Sequence, residues 1–136
     1  MSLFNIFEIS GSGMSAQSIR MNTTASNIAN AESISSSNGK TYRSRQPVFS
    51  AVFNELNNSV GATVKVNGIM ESQAPLRIEY RPEHPMANEE GMVFLPNVNP
   101  VEEMANMISA SRSYQSNVEV LNTSKQMLMR TLQLGE

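Results

Sequence analysis

The strongest constraint on this fold is an apolar residue at every seventh position, found near both ends of the chain and not between them. The two sets are Phe7, Met14, Met21 and Ile28, and Met107, Tyr114, Leu121 and Leu128. A seven-residue repeat places apolar side chains on one narrow stripe of a helix, where they pack against other helices. We therefore predict two terminal helices, a design typical of self-assembling structural proteins rather than enzymes with pockets.

The N-terminal repeat leaves two possible starts for its helix, which is predicted to run to Asn30. Ser12 would suit the N-cap position, but Phe7 keeps phase with the stripe, which favours a continuous helix from about Leu3. Arg20 is the single charged residue between Ser10 and Asn30. A helix face exposed to water normally carries more charge, so this helix is expected to contact other protein.

The C-terminal helix has a sharp predicted start. Asn99 suits the N-cap and Pro100 the first helical position, and Gly135 suits the C-terminal end. The helix would be about 50 Å long, so we expect it to need partners and both termini to become ordered on assembly. The second row of this helix is predicted to be Met104, Ser111, Val118, Lys125 and Leu132.

The middle of the chain changes to short alternating segments typical of β-strands. Predicted strands cover residues 47–53, 63–66, 76–80 and 92–95, and predicted turns cover 57–61 and 67–68. The predicted fold is α+β: terminal helices packed as an antiparallel coiled coil, with a small inserted antiparallel β domain. The predicted segments are 1–39 (assembly helix and linker), 40–97 (β-rich domain) and 98–136 (assembly helix).

Composition argues against several classes of partner. The net charge of −2 gives no electrostatic reason to bind nucleic acid. No apolar run approaches the ~18 residues of a membrane span. Residues 1–8 lack the basic and apolar regions of a cleavable secretory signal. We predict no binding of nucleic acid and no direct membrane insertion.

No set of residues predicts catalysis, a cofactor or a metal site. The chain has no Cys, and its one His, His84, lies between Pro82 and Pro85 and is interpreted as a turn residue. Glu102 and Glu103 are adjacent, so helix geometry points their side chains apart. We interpret them as an acidic helix start that complements the helix dipole.

Several motifs resemble a known family. Residues 26–31, Ser-Asn-Ile-Ala-Asn-Ala, resemble the N-terminal signature of the bacterial flagellar rod and hook proteins. The chain also resembles one subfamily of that family, the proximal rod proteins. The residues that carry this resemblance are 84–85, 91–93, 96–104, 111–119, 125–127 and 131–132. Two positions depart from the family pattern. Glu83 stands where the family usually has Gly, and residues 31–33 differ from the sequence that more commonly follows the N-terminal signature.

The resemblance implies a non-enzymatic subunit that is exported unfolded by the flagellar type III apparatus, without a cleaved signal peptide. Such proteins build the rod of the basal body, which spans the periplasm and transmits torque. The implied partners are other proximal and distal rod proteins, the protein at the junction of the rod with the MS ring, and copies of the chain itself.

The predicted assembly interface combines the stripes with some helix asparagines. The asparagines could be ordinary polar surface, or could fix helix register by hydrogen bonds between subunits, as buried Asn does in coiled coils. The interface comprises Phe7, Met14, Met21, Asn27, Ile28, Asn30, Met104, Met107, Tyr114, Asn117, Val118, Leu121, Leu128 and Leu132. The alternative function is a secretion chaperone that binds an amphipathic client helix in a groove.

Overall fold

The chain folds as two long helices and two small antiparallel sheets, which confirms the α+β class. The computed structural model describes residues 3–53 and 61–135. The elements in chain order are α1 (Leu3–Asn30), a short 3₁₀ turn (Asn38–Lys40), β1 (Arg45–Phe53), β2 (Ala62–Glu71), β3 (Arg77–Tyr80), β4 (Met92–Leu95) and α2 (Pro100–Gln133).

Helix α1 is continuous and packs antiparallel against α2. It begins at Leu3 and runs through Ser12 without a break, as the phase of Phe7 predicts. A Cβ built on Gly13 would lie 2.9 Å from Nδ2 of Asn117, while Nη2 of Arg20 donates to Oδ1 of Asn106 at 3.2 Å. Residue numbers therefore rise along α1 as they fall along α2.

The start of α2 is the one predicted. The Asn99 side chain accepts hydrogen bonds from the backbone N–H groups of Val101 and Glu102, and Pro100 is the first helical residue. These two amides would otherwise lack partners at the helix start. The helix ends at Gln133 with Leu134 at the C-cap, so Gly135 follows the cap, the position at which glycine commonly ends a helix, as predicted.

The middle segment forms two separate sheets rather than the single β unit predicted. Strands β1 and β2 pair as a hairpin, and β3 pairs with β4. The predicted turn at Asn67 and Gly68 is wrong, because both residues lie inside β2. The register shifts between the pairs Val48–Gly68 and Phe49–Val66, so Asn67 is the extra residue of a β-bulge. The predicted turn at 57–61 lies outside the described residues except for Gly61.

The β1–β2 hairpin lies along α1. Its base is at the C-terminal part of α1, where the Arg45 amide donates to Oδ1 of Asn27 at 2.9 Å. Further out, the Val64 amide donates to Oγ of Ser12 at 3.1 Å. Helix α1 therefore has α2 on one side and the hairpin on another.

The buried apolar core lies where α1 ends and the second sheet begins. Its largest members are Val93, Leu95, Val98 and the adjacent Pro96, together with Ala31 at the end of α1. The segment predicted as a linker contributes to this region, since Ser35 forms an antiparallel bridge to Phe94. The core thus anchors β3–β4 and the start of α2 to the end of α1. The proposed domain boundaries remain a prediction.

Candidate assembly interface

The apolar stripe of α2 faces inward only in part. Met107, Tyr114, Leu121 and Leu128 are all half-buried. The residues that complete the inward face are Glu103, Ala110, Asn117 and Ser124, of which Asn117 is half-buried and the others are buried. Together the two rows alternate steps of four and three residues, the spacing of a coiled-coil seam.

The predicted second row of α2 does not form the face that meets α1. Met104 and Leu132 in that row are 53% and 63% exposed, and Val118 is half-buried. Neighbouring residues on an α-helix point about 100° apart, so the Met104 row turns away from α1 when the Glu103 row faces it. The sequence pattern missed the inward row because its members are small or polar.

The buried face of α1 is also small and polar. Its fully buried members are Ser10, Ala16, Thr23, Thr24 and Asn27. The predicted stripe residues Phe7, Met14, Met21 and Ile28 are half-buried, beside this face. Small side chains allow two helix backbones to approach closely, and the absent Cβ of Gly13 is what admits the Asn117 amide.

Asn27 is fully bonded within its own chain. Its Oδ1 accepts from the Tyr42 hydroxyl at 2.8 Å and from the Arg45 amide at 2.9 Å. Its Nδ2 donates to the Arg45 carbonyl at 2.8 Å and to Oγ of Ser44 at 3.4 Å. An Asn side chain has two N–H donors and one oxygen with two lone pairs, so no bonding position is free for a neighbouring subunit.

The rest of the signature at 26–31 also bonds within the chain. Oγ of Ser26 lies 3.2 Å from the Tyr42 hydroxyl, and Nδ2 of Asn30 donates to the Ser26 carbonyl at 2.8 Å. The Ala31 carbonyl accepts from Nη2 of Arg77 at 3.1 Å. The signature therefore bonds the chain where it enters β1 and, through Arg77, the start of β3.

Both α2 and the β1–β2 hairpin keep large apolar side chains exposed, and those of α2 lie mainly near its two ends. Gly13 of α1 lies beside Asn117 of α2. Because the helices are antiparallel and rise equally per residue, Leu3, ten residues before Gly13, lies beside about residue 127, ten residues after Asn117. The last turns of α2 therefore extend beyond the described part of α1. The exposed apolar residues of this end are Met127, Met129, Leu132 and Leu134, and those of the opposite end are Val101, Met104 and Ile108.

The polar residues considered for chemistry lie in a turn and in a surface cleft. Nδ1 of His84 accepts from the Met86 amide at 3.1 Å, which places His84 in a turn. Glu102 and Glu103 line a polar cleft with Arg20 and Arg45. Across the described residues, no group of three His, Cys, Asp or Glu could hold a metal ion, and no helix is long and apolar enough to cross a membrane.

Two family models match the chain. The model described as flagella basal body rod protein matches residues 7–32, and the model described as flagellar basal body rod FlgEFG protein C-terminal matches residues 89–134. The first match falls on α1 and the second covers β4 and α2. The two matched segments thus cover most of α1 and all of α2.

Full-length relatives are more specific. The flagellar basal-body rod protein FlgC of Escherichia coli O6:H1 is 50% identical to the chain over the whole of both sequences. Its namesake in Salmonella typhimurium is 48% identical, again over the whole of both. The chain belongs to the flagellar basal-body rod protein family. The rod protein named FlgC of Aquifex aeolicus is 45% identical over 98% of the chain and 97% of its own length.

Family membership distinguishes the rod subunit from the secretion chaperone that the sequence left as an alternative. The rod-family relatives named above all carry the description of a basal-body rod protein. The comparisons therefore give no support to the secretion chaperone. They agree with a non-enzymatic protein, since the family models and names describe a structural part of the flagellum.

Proposed function

We propose that this protein is a structural subunit of the flagellar basal-body rod that assembles through its terminal helices. The observation that carries the proposal is the helix pair in a chain that matches a rod-family relative over the whole of both sequences, in which α2 keeps large apolar side chains exposed at both ends. Such side chains are worth about 1.5–3 kcal/mol each when fully buried. The assembled rod would bury them.

The proposed interface is the set predicted from sequence, with one residue omitted and four residues of α2 added. Asn27 is left out because its bonding positions are used within the chain. The exposed members Met104 and Leu132 and the half-buried stripe residues stay in, with Val101, Ile108, Met127 and Met129 added from their exposure. Many shallow contacts of this kind, acting in parallel, would resist torsion along a shaft.

The proposed neighbours are other proximal and distal rod proteins, the rod–MS-ring junction protein and further copies of this chain. Family membership supports association with basal-body components. We place the protein in the proximal rod, within the periplasm, after delivery by the flagellar type III export apparatus without a cleaved signal peptide. A chain without cysteine has no disulfide to obstruct such export.

Assembly is also proposed to complete the order of the terminal helices. The contact between α1 and α2 is formed by small and polar residues, with the apolar stripes only half-buried. Apolar burial within one subunit is therefore modest, and the free energy of ordering long helices is large, at over 1 kcal/mol per residue. Neighbouring subunits would supply the remaining burial.

The test is complementation of a strain that lacks this gene. The double variant Met104→Gln, Leu132→Gln changes two exposed side chains of α2 and should abolish or strongly reduce motility and rod completion. Met86→Gln, at an exposed residue of a turn outside the helices, is the matched control and should leave motility normal. Normal motility with the double variant, at normal protein levels, would refute assembly through this face of α2.

A further inference from the structure

We propose that α1 is the support on which the β1–β2 hairpin is held, with Asn27 and Ser12 as two hydrogen-bonding latches. The hairpin would then order and disorder together with α1, rather than as part of an independent middle domain. This inference concerns the folding of the single chain, so it stands or falls separately from the rod function.

The first latch is at the base of the hairpin. The Asn27 side chain is 1% exposed and bonds both the amide and the carbonyl of Arg45, the first residue of β1. It also receives the Tyr42 hydroxyl, whose ring lies 5.3 Å from the Arg45 guanidinium carbon. Asn27 occupies the correct position only when the last turn of α1 is helical, so the base of β1 depends on α1.

The second latch lies farther along the hairpin. Oγ of Ser12 accepts from the Val64 amide at 3.1 Å and donates to the Ile9 carbonyl at 2.8 Å. The bond satisfies a backbone N–H on the edge of β2 that faces away from β1. Near it, a Cβ built on Gly61 would lie 2.9 Å from Cδ1 of Ile9, so β2 and α1 are in close contact here.

The spacing of the two latches matches the two elements. Ser12 and Asn27 are fifteen residues apart on α1, which corresponds to about 22 Å of helix. Val64 pairs with Ala51, six residues beyond Arg45, which corresponds to about 20 Å of strand. A hairpin bonded at both points therefore lies along α1 over most of the described length of β1.

The hairpin buries too little to be stable alone. None of its described residues is fully buried, and Phe53, Ile69 and Met70 are 71%, 53% and 64% exposed. An isolated two-stranded hairpin is marginal in water. The β3–β4 sheet differs, because Val93 and Leu95 are buried and the Phe94 amide bonds the Ser35 carbonyl.

Site-resolved amide hydrogen exchange of the full chain tests the proposal, in buffer with trimethylamine N-oxide to favour the folded state. Asn27→Ala should speed exchange of the Val64 amide at least about tenfold, because a lost latch raises local opening. Val64 is the informative site since it does not contact Asn27. The exchange rate of the Phe94 amide should be unchanged in this variant. In the control variant Asn22→Ala, at an exposed residue of α1, the exchange rates of all amides should be unchanged.

Two further results would decide the question. Tyr42→Phe removes one bond to Asn27 and should act in the same direction with a smaller factor, which covers the case in which Asn27→Ala does not fold. The proposal is overturned if Val64 protection is unchanged in both variants. It is equally overturned if the hairpin amides of the unaltered protein are protected while those of α1 exchange freely.

Discussion

The two terminal helices carry the same apolar repeat but occupy different positions in the subunit. Among the described residues, α2 has seven exposed large apolar side chains and α1 has one, Phe4. Helix α1 also bonds the middle segment through Ser12, Ser26 and Asn27. For α2, the one side-chain hydrogen bond described to another element is that of Asn106 with Arg20.

The two stripes are equally half-buried, so the helices differ in the exposure of their other apolar residues. Helix α1 lies between α2 and the hairpin and is the internal element of the subunit, whereas α2 presents most of its apolar surface outward. Substitutions in α1 and on the inward row of α2 should change the stability of the subunit. Substitutions on the outward face of α2 should leave stability unchanged and affect assembly.

The largest effect is expected where the two helices approach most closely. Gly13→Leu should destabilise the chain by about 3 kcal/mol, because the new side chain has to displace Asn117. Gly11→Leu is the matched control, since a Cβ there meets nothing within 4 Å, and it should stabilise slightly through helix propensity. Urea unfolding followed by circular dichroism measures both. Equal behaviour of the two variants would show that the close approach is not a constraint.

The next effect concerns the inward row of α2. Ala110 is fully buried, so Ala110→Leu should cost about 2 kcal/mol by overpacking the contact with α1. Ala105 is exposed on the same helix, and Ala105→Leu should be close to neutral. The midpoint of urea unfolding distinguishes the two variants. If Ala110→Leu is neutral, the row containing Met104, rather than the row containing Ala110, faces α1.

The start of α2 should respond by a smaller amount. Asn99→Ala removes the side chain that bonds two backbone amides and should cost about 1 kcal/mol. Asn122, exposed in the middle of α2, is the control, since Asn122→Ala removes no cap. Helix content and unfolding midpoint are the measurements, and equal values for the two variants would contradict the capping role.

The smallest effect sharpens the comparison between the two faces of α2. Ile108 is 55% exposed, so Ile108→Gln should change stability by less than about 0.5 kcal/mol. The same change at the half-buried neighbour Met107 should cost more than about 1 kcal/mol. If both variants unfold at the same urea concentration, the assignment of inward and outward faces is wrong.

Local sequence signals predicted the helices and their caps well. The repeat identified both helices, and Asn99 and Pro100 placed the start of α2 at the correct residue, because capping depends on adjacent residues. The turn predicted at Asn67 and Gly68 failed because the pairing partner decides whether such residues form a turn or a bulge. That partner is distant in sequence.

The candidate interface was predictable only in part. The stripe residues were found, but the inward row at Glu103, Ala110 and Ser124 was missed because an apolar count ignores small and polar residues. Asn27 was recognised as special, yet the direction of its bonds depends on Tyr42 and Arg45, which the fold brings to it. Sequence periodicity predicts that a helix packs against another element. It is a weaker guide to which face of the helix makes the contact.

The scarcity of charge on α1 has a consequence for the medium in which the protein works. The three ion pairs among residues 3–53 and 61–135 join Arg45 to Glu71, Arg77 to Glu32 and Arg81 to Glu79, and none links α1 to α2. Dissolved ions weaken the attraction between opposite charges. In the part of the chain that the structure describes, the contact between α1 and α2 therefore has no direct ion pair that dissolved salt could screen.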